Sequence, residues 1–73
     1  YNGEFKKAKK AYELAVEFFP QSSVVRERLG SIYYKLNEFE KAQIEWEKAN
    51  AITPSPQLER FILNAKEKGE SLY

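Results

Sequence analysis

Of the side chains that take part in covalent chemistry, this chain offers carboxylates, hydroxyls and amines, but its 73 residues contain no histidine and no cysteine. The commonest general base, metal ligand and activated nucleophile are therefore missing. Carboxylates are plentiful, yet Glu38 and Glu40, like Glu45 and Glu47, stand two apart, which on a helix turns the members of each pair to different sides. They read as a solvated face. Ser22, Ser23, Ser31, Ser55 and Ser71 have no base to activate them, and a nucleophile needs both a base and a group to orient it. The sequence therefore predicts no enzyme, no catalytic or metal-ligating set and no cofactor.

The lysine run "FKKAKKAY" is the other chemical candidate. Lys6, Lys7, Lys9 and Lys10, flanked by Phe5 and Tyr12, have the make-up of phosphate contacts beside a stacking ring. At helical spacing, however, Phe5 and Tyr12 fall on an apolar stripe and the lysines on the opposite face, with Glu13 and Glu17 close behind to balance them. Counterion release needs a sizeable unbalanced basic patch. A solvated convex face is the expectation, and no nucleic-acid partner is expected.

Composition sets the frame that positions these residues. With 42% apolar and 32% charged residues, the chain reads as one small soluble helical domain. Eleven aromatic residues help a core near the size where a single core barely suffices. A net charge of +1 exerts no strong pull towards nucleic acid or an anionic membrane. No apolar run approaches the roughly 18 residues needed to span a bilayer, and the first residues do not resemble a signal peptide. Without cysteine there are no disulfides, and the redox compartment is left open.

The frame itself is a repeat. Gly3 to Pro20 aligns with Asn37 to Pro54, a shift of 34 positions, and seven of the eighteen pairs are identical, among them Phe5/Phe39, Ala8/Ala42, Ala15/Ala49 and Pro20/Pro54. Tyr12 faces Trp46, both bulky rings. Phe5, Ala8, Tyr12, Ala15 and Phe19, then Phe39, Ala42, Trp46 and Ala49, step by three and four as one face of an α-helix does. Between the copies, Ser22 or Ser23 can cap a different helix whose stripe is Val25, Leu29, Ile32, Tyr33 and Leu36, and Asn37 can end it in the left-handed conformation. Pro20 and Pro54 mark the breaks. A helix pair per period predicts an all-α stack, with helices near 4–18, 23–36, 38–52 and 56–68. In the last of these, Ser55 is the candidate cap, Pro56 the first residue, Leu58, Ile62 and Ala65 the inner face, and Gly69 the residue after the final turn.

Leu29, Gly30, Tyr33, Ala42, Trp46 and Pro54, with Phe39 and Ala49, make residues 23–54 resemble a tetratricopeptide repeat. The resemblance implies an α-solenoid of antiparallel helix pairs in which Gly30 and Ala42 are small where two helices cross. Arg26 departs from it, standing where the family usually has Trp, and looser packing is expected at that corner. By the same resemblance, residues 1–20 look like the second helix of an earlier repeat, 21–54 like one complete repeat, and 55–73 like the closing helix and tail of an array. The opening segment's Phe5, Ala8 and Tyr12 would then lack a preceding helix and form an apolar self-association patch, making a homodimer possible.

In the family the first helix of each repeat lines a concave surface that holds a peptide or helix of a partner protein. The positions that match it here are Val24, Glu27, Ser31, Tyr34 and Lys35, joined from the closing helix by Arg60 and Asn64. Some members grip a C-terminal carboxylate with Lys, Asn and Arg, but Arg28 stands at the Asn position here, so that grip is not expected. The resemblance implies a protein-protein interaction module.

Overall fold

The computed structural model describes residues 2–70, and among them the chain forms four α-helices and no strand: α1 (Asn2–Phe18), α2 (Ser23–Lys35), α3 (Phe39–Ile52) and α4 (Pro56–Glu70). Ser71 lies outside the described residues. Packing runs between helices adjacent in the chain, α1 on α2, α2 on α3 and α3 on α4, as an α-solenoid of antiparallel pairs requires. The result is a slab of 34 × 31 × 15 Å.

Local chemistry fixes the breaks. At the start of α2 the Ser22 hydroxyl accepts the Val25 N–H at 3.3 Å, which satisfies one of the donors a helix start leaves orphaned. Its end is a Schellman turn. Asn37 sits at φ 62°, its N–H donates to the Tyr34 carbonyl at 3.0 Å, and the Glu38 N–H donates to the Tyr33 carbonyl at 2.8 Å. At the α3–α4 junction Pro56 opens α4, and the N–H of the preceding Ser55 is held by Asn50 Oδ1 at 2.8 Å. Gly69 was expected to follow the last turn, but α4 continues through it to Glu70. A side chain there would meet nothing closer than the Phe39 Cβ at 3.8 Å, so neither a left-handed turn nor a crowded crossing occurs at that residue.

Leu29, Tyr33, Ala42, Trp46, Ala49, Leu58 and Ala65 form the core. Three alanines in so small a set bring α3 close to its neighbours, and the large rings fill what remains. Gly30 is buried, as its family position implies, but a Cβ built on it would lie 2.5 Å from Trp46 Nε1 and 2.6 Å from Trp46 Cδ1. The nearest neighbour is the indole, rather than the expected Ala42. The Trp46 N–H then donates to the Glu27 carbonyl at 3.0 Å, fixing the ring one turn before Gly30.

The corner occupied by Arg26 is tied by polar contacts. Its Nε donates to the Pro20 carbonyl at 2.8 Å and a terminal nitrogen meets Glu45 Oε1 at 3.0 Å, with both side chains largely enclosed. The α1 helix is attached in a similar way. Tyr12 and Val16 pack against the core, the Tyr33 hydroxyl donates to Glu13 Oε2 at 2.6 Å, and Lys9 reaches Glu38 at 3.4 Å. Burial, reinforced by the Glu13 carboxylate, pushes the Tyr33 hydroxyl well above the ordinary tyrosine range.

Candidate partner-binding groove

On one face of the slab, Ser31, Tyr34 and Lys35 of α2, Trp46 of α3, and Phe61 and Asn64 of α4 line a half-open groove of about 340 Å³. That lies at the lower end of the range of about 300–1,000 Å³ seen for ligand sites, enough for one or two side chains of a partner. Three helices build it because successive antiparallel neighbours turn the same edge of the slab to this side.

The floor is the ring row Tyr34–Trp46–Phe61, which Phe39 extends outside the groove lining. Phe39 meets Tyr34 edge-on at 5.1 Å between centroids, Tyr34 lies 5.7 Å from Trp46, and Trp46 lies 5.1 Å from Phe61, all within the 4.5–7 Å over which aromatic pairs attract. Trp46 is pinned from beneath by the close approach of Gly30 and by its bond to the Glu27 carbonyl. The same carbonyl accepts the Ser31 hydroxyl at 3.2 Å, which draws that hydroxyl back onto its own helix and leaves the groove wall less polar than its sequence suggests.

Of the seven residues expected on the concave face, Ser31, Tyr34, Lys35 and Asn64 come together in this groove. Val24 and Arg60 are exposed outside its lining, and Glu27 is half-buried and contributes its backbone carbonyl. Two lining residues escaped the sequence reading. Trp46 was placed on the core stripe, where it does lie at 4% exposure, yet one edge of so large a ring reaches the groove. Phe61 stands three residues before Asn64, and that spacing could have placed both on one helix face.

A second cleft of about 270 Å³ adjoins the first and is lined by Lys6, Lys9, Lys35, Leu36, Asn37 and Glu38. Lys35 belongs to both. The lysine run is therefore divided. Lys7 and Lys10 are exposed, whereas Lys6 and Lys9 face this cleft, and Glu38 holds Lys9 at 3.4 Å and Lys41 at 3.3 Å. Glu13, expected to balance the lysines, accepts from Tyr33 instead. Among the described residues no cluster of three metal-ligating side chains forms, and no helix is long and apolar enough to cross a membrane.

The expected self-association trio is less open than the sequence implied. Phe5, Ala8 and Tyr12 are half-buried, with Tyr12 against the core and its hydroxyl accepting from Arg28 at 3.5 Å. These residues share the side of α1 that packs on α2. The open apolar residues at this end of the molecule are Leu14, Phe18 and Phe19, at 53%, 70% and 63% exposure.

Residues 25–56 match the tetratricopeptide repeat family. The chain is also similar to cell division cycle protein 27 homolog A of Arabidopsis thaliana, with 36% identity over 69 residues, an alignment covering 84% of this chain and 10% of that protein. It thus spans about a tenth of that relative's length. No solved structure matches the chain. The paired helices, the glycine under the tryptophan and the family match agree, and residues 25–56 form a tetratricopeptide repeat.

Proposed function

We propose that this protein-protein interaction module works through the aromatic groove, which holds an apolar side chain presented by a peptide or helix of a partner protein. In this reading residues 21–54 are one complete repeat, 1–20 the second helix of another and 55–73 a closing helix and tail. The observation that carries it is the ring row Tyr34–Trp46–Phe61 lining an open groove. Rigid rings supply contact area at little entropic cost, and such residues dominate binding energy at interfaces. The test is selection of displayed random peptides on the full chain, followed by binding of the winners to Phe61→Ser. Loss of at least about 2 kcal/mol of binding is expected for an anchor pocket; winners indifferent to Phe61→Ser would place the working surface elsewhere.

Self-association is a second reading, favoured by the exposure of Leu14, Phe18 and Phe19 on and just after α1. It differs from the groove in its readout. Sedimentation across a wide concentration range should show reversible growth in mass that Phe18→Ser abolishes, and a constant monomer mass would remove this reading.

A further inference from the structure

The groove and the lysine cleft share Lys35, and the charges around that shared residue are unequal. We propose that the two form one continuous docking surface, and that its occupant is a peptide segment carrying an apolar anchor with aspartate or glutamate residues beside it. The apolar side chain lies over Trp46 and Phe61, and the carboxylates extend past Lys35 towards Lys6 and Lys9. This rests on the groove being the binding surface.

Charge complementarity selects the occupant. Among the described residues no carboxylate lines the groove, and the cleft sets three ammonium groups against Glu38 alone. Both oxygens of Glu38 are already engaged, one by Lys9 and one by Lys41. Among the described residues Lys6 and Lys35 have no ion-pair partner. The carboxyl end of α2 also faces this region and contributes about half a negative charge, which the three lysines outweigh. Because the whole chain carries only +1, this excess is local. It directs a carboxylate to one end of the groove rather than attracting anions to the whole surface. An oligonucleotide fits less well, since a phosphate chain needs a longer basic track, and Lys7 and Lys10 do not line the cleft.

Displayed random peptides selected separately on the wild-type chain, Lys35→Glu and Phe61→Ser test this. On wild type, the winners should combine an apolar residue with neighbouring Asp or Glu, and their affinity should fall with added salt. Lys35→Glu and Lys6→Glu should each weaken a synthetic winning peptide roughly fivefold at low ionic strength, with the melting curve of the exposed-site variant unchanged. Winners that need Phe61 but show no acidic bias, or that bind Lys35→Glu equally well, overturn this inference and leave the groove reading standing. If no winner needs Phe61, the groove reading fails and this inference with it. A phosphorylated peptide or a nonspecific oligonucleotide that binds more tightly than the carboxylate peptide, in a Lys35-dependent way, overturns the choice of occupant.

Discussion

The helices α1 and α3 carry nearly the same eighteen-residue pattern, yet the chain treats them differently. In α3, Ala42 and Ala49 are fully enclosed and Trp46 is 4% exposed; at the corresponding positions of α1, Ala8, Ala15 and Tyr12 are only half-buried. The cause is the number of neighbours. Among the described residues, helix α3 lies between α2 and α4, whereas α1 packs chiefly on α2. A repeat pattern specifies which face a helix buries, and the adjoining units decide how deeply it is buried.

Truncating the equivalent rings gives the largest expected effect. Trp46→Ala should cost about 3–5 kcal/mol, in the range for a large enclosed aromatic, and leave the chain largely unfolded or melting far lower. Tyr12→Ala should cost about 1–2 kcal/mol, because solvent already reaches that ring and the site can collapse around a smaller residue. Thermal or denaturant melts compare the two directly. Equal losses would mean that α1 is held as tightly as α3 and that the difference in exposure has no energetic weight.

The next effect concerns what lies beneath the tryptophan. A Cβ at Gly30 would sit 2.5 Å from the indole, and the ring cannot retreat without losing its bond to the Glu27 carbonyl. Gly30→Leu should therefore cost about 1–3 kcal/mol as overpacking. It should also disturb the groove floor, so that the fluorescence of Trp46, the only tryptophan in the chain, shifts with the loss of stability. An unchanged melt and spectrum would show that Gly30 is not where α2 and α3 are pinned.

Much of this was legible in the sequence because it depends on local periodicity. The stripe of Phe39, Ala42, Trp46 and Ala49, the turn at Asn37, and the breaks at Pro20 and Pro54 each follow from residues within a few positions of one another. Features that depend on pairing across helices were not. Nothing local tells Arg26 that Glu45 and the Pro20 carbonyl will enclose it, or Glu13 that its partner will be Tyr33 rather than a lysine. The groove was half legible for the same reason: spacing put Ser31, Tyr34 and Lys35 on one face of α2, while the rings of Trp46 and Phe61 arrive from other helices.

The smallest effect tests the fastening of α1 itself. The Tyr33 hydroxyl donates to Glu13 at 2.6 Å from a residue only 7% exposed, so removing it in Tyr33→Phe should cost about 1.5–2 kcal/mol, the low end for a hydrogen bond to a charged group because Glu13 is only half-buried. Hydrogen exchange should rise in α1 more than in α3, since α3 keeps both of its neighbours. The pH dependence has a definite sign. Burial first, and then the Glu13 carboxylate, hold the Tyr33 hydroxyl protonated beyond the ordinary tyrosine value of about 10. The unfolded chain releases that proton at lower pH than the folded one, so the folded state binds more protons and stability falls as pH rises above about 10. The advantage of the parent over Tyr33→Phe should accordingly be constant through neutral pH and shrink as the solution becomes strongly alkaline. If the two proteins lose stability in parallel above that point, the Tyr33–Glu13 bond is not what ties α1 to the rest of the stack, and the contacts of Tyr12 and Val16, with the Lys9–Glu38 pair, carry that attachment.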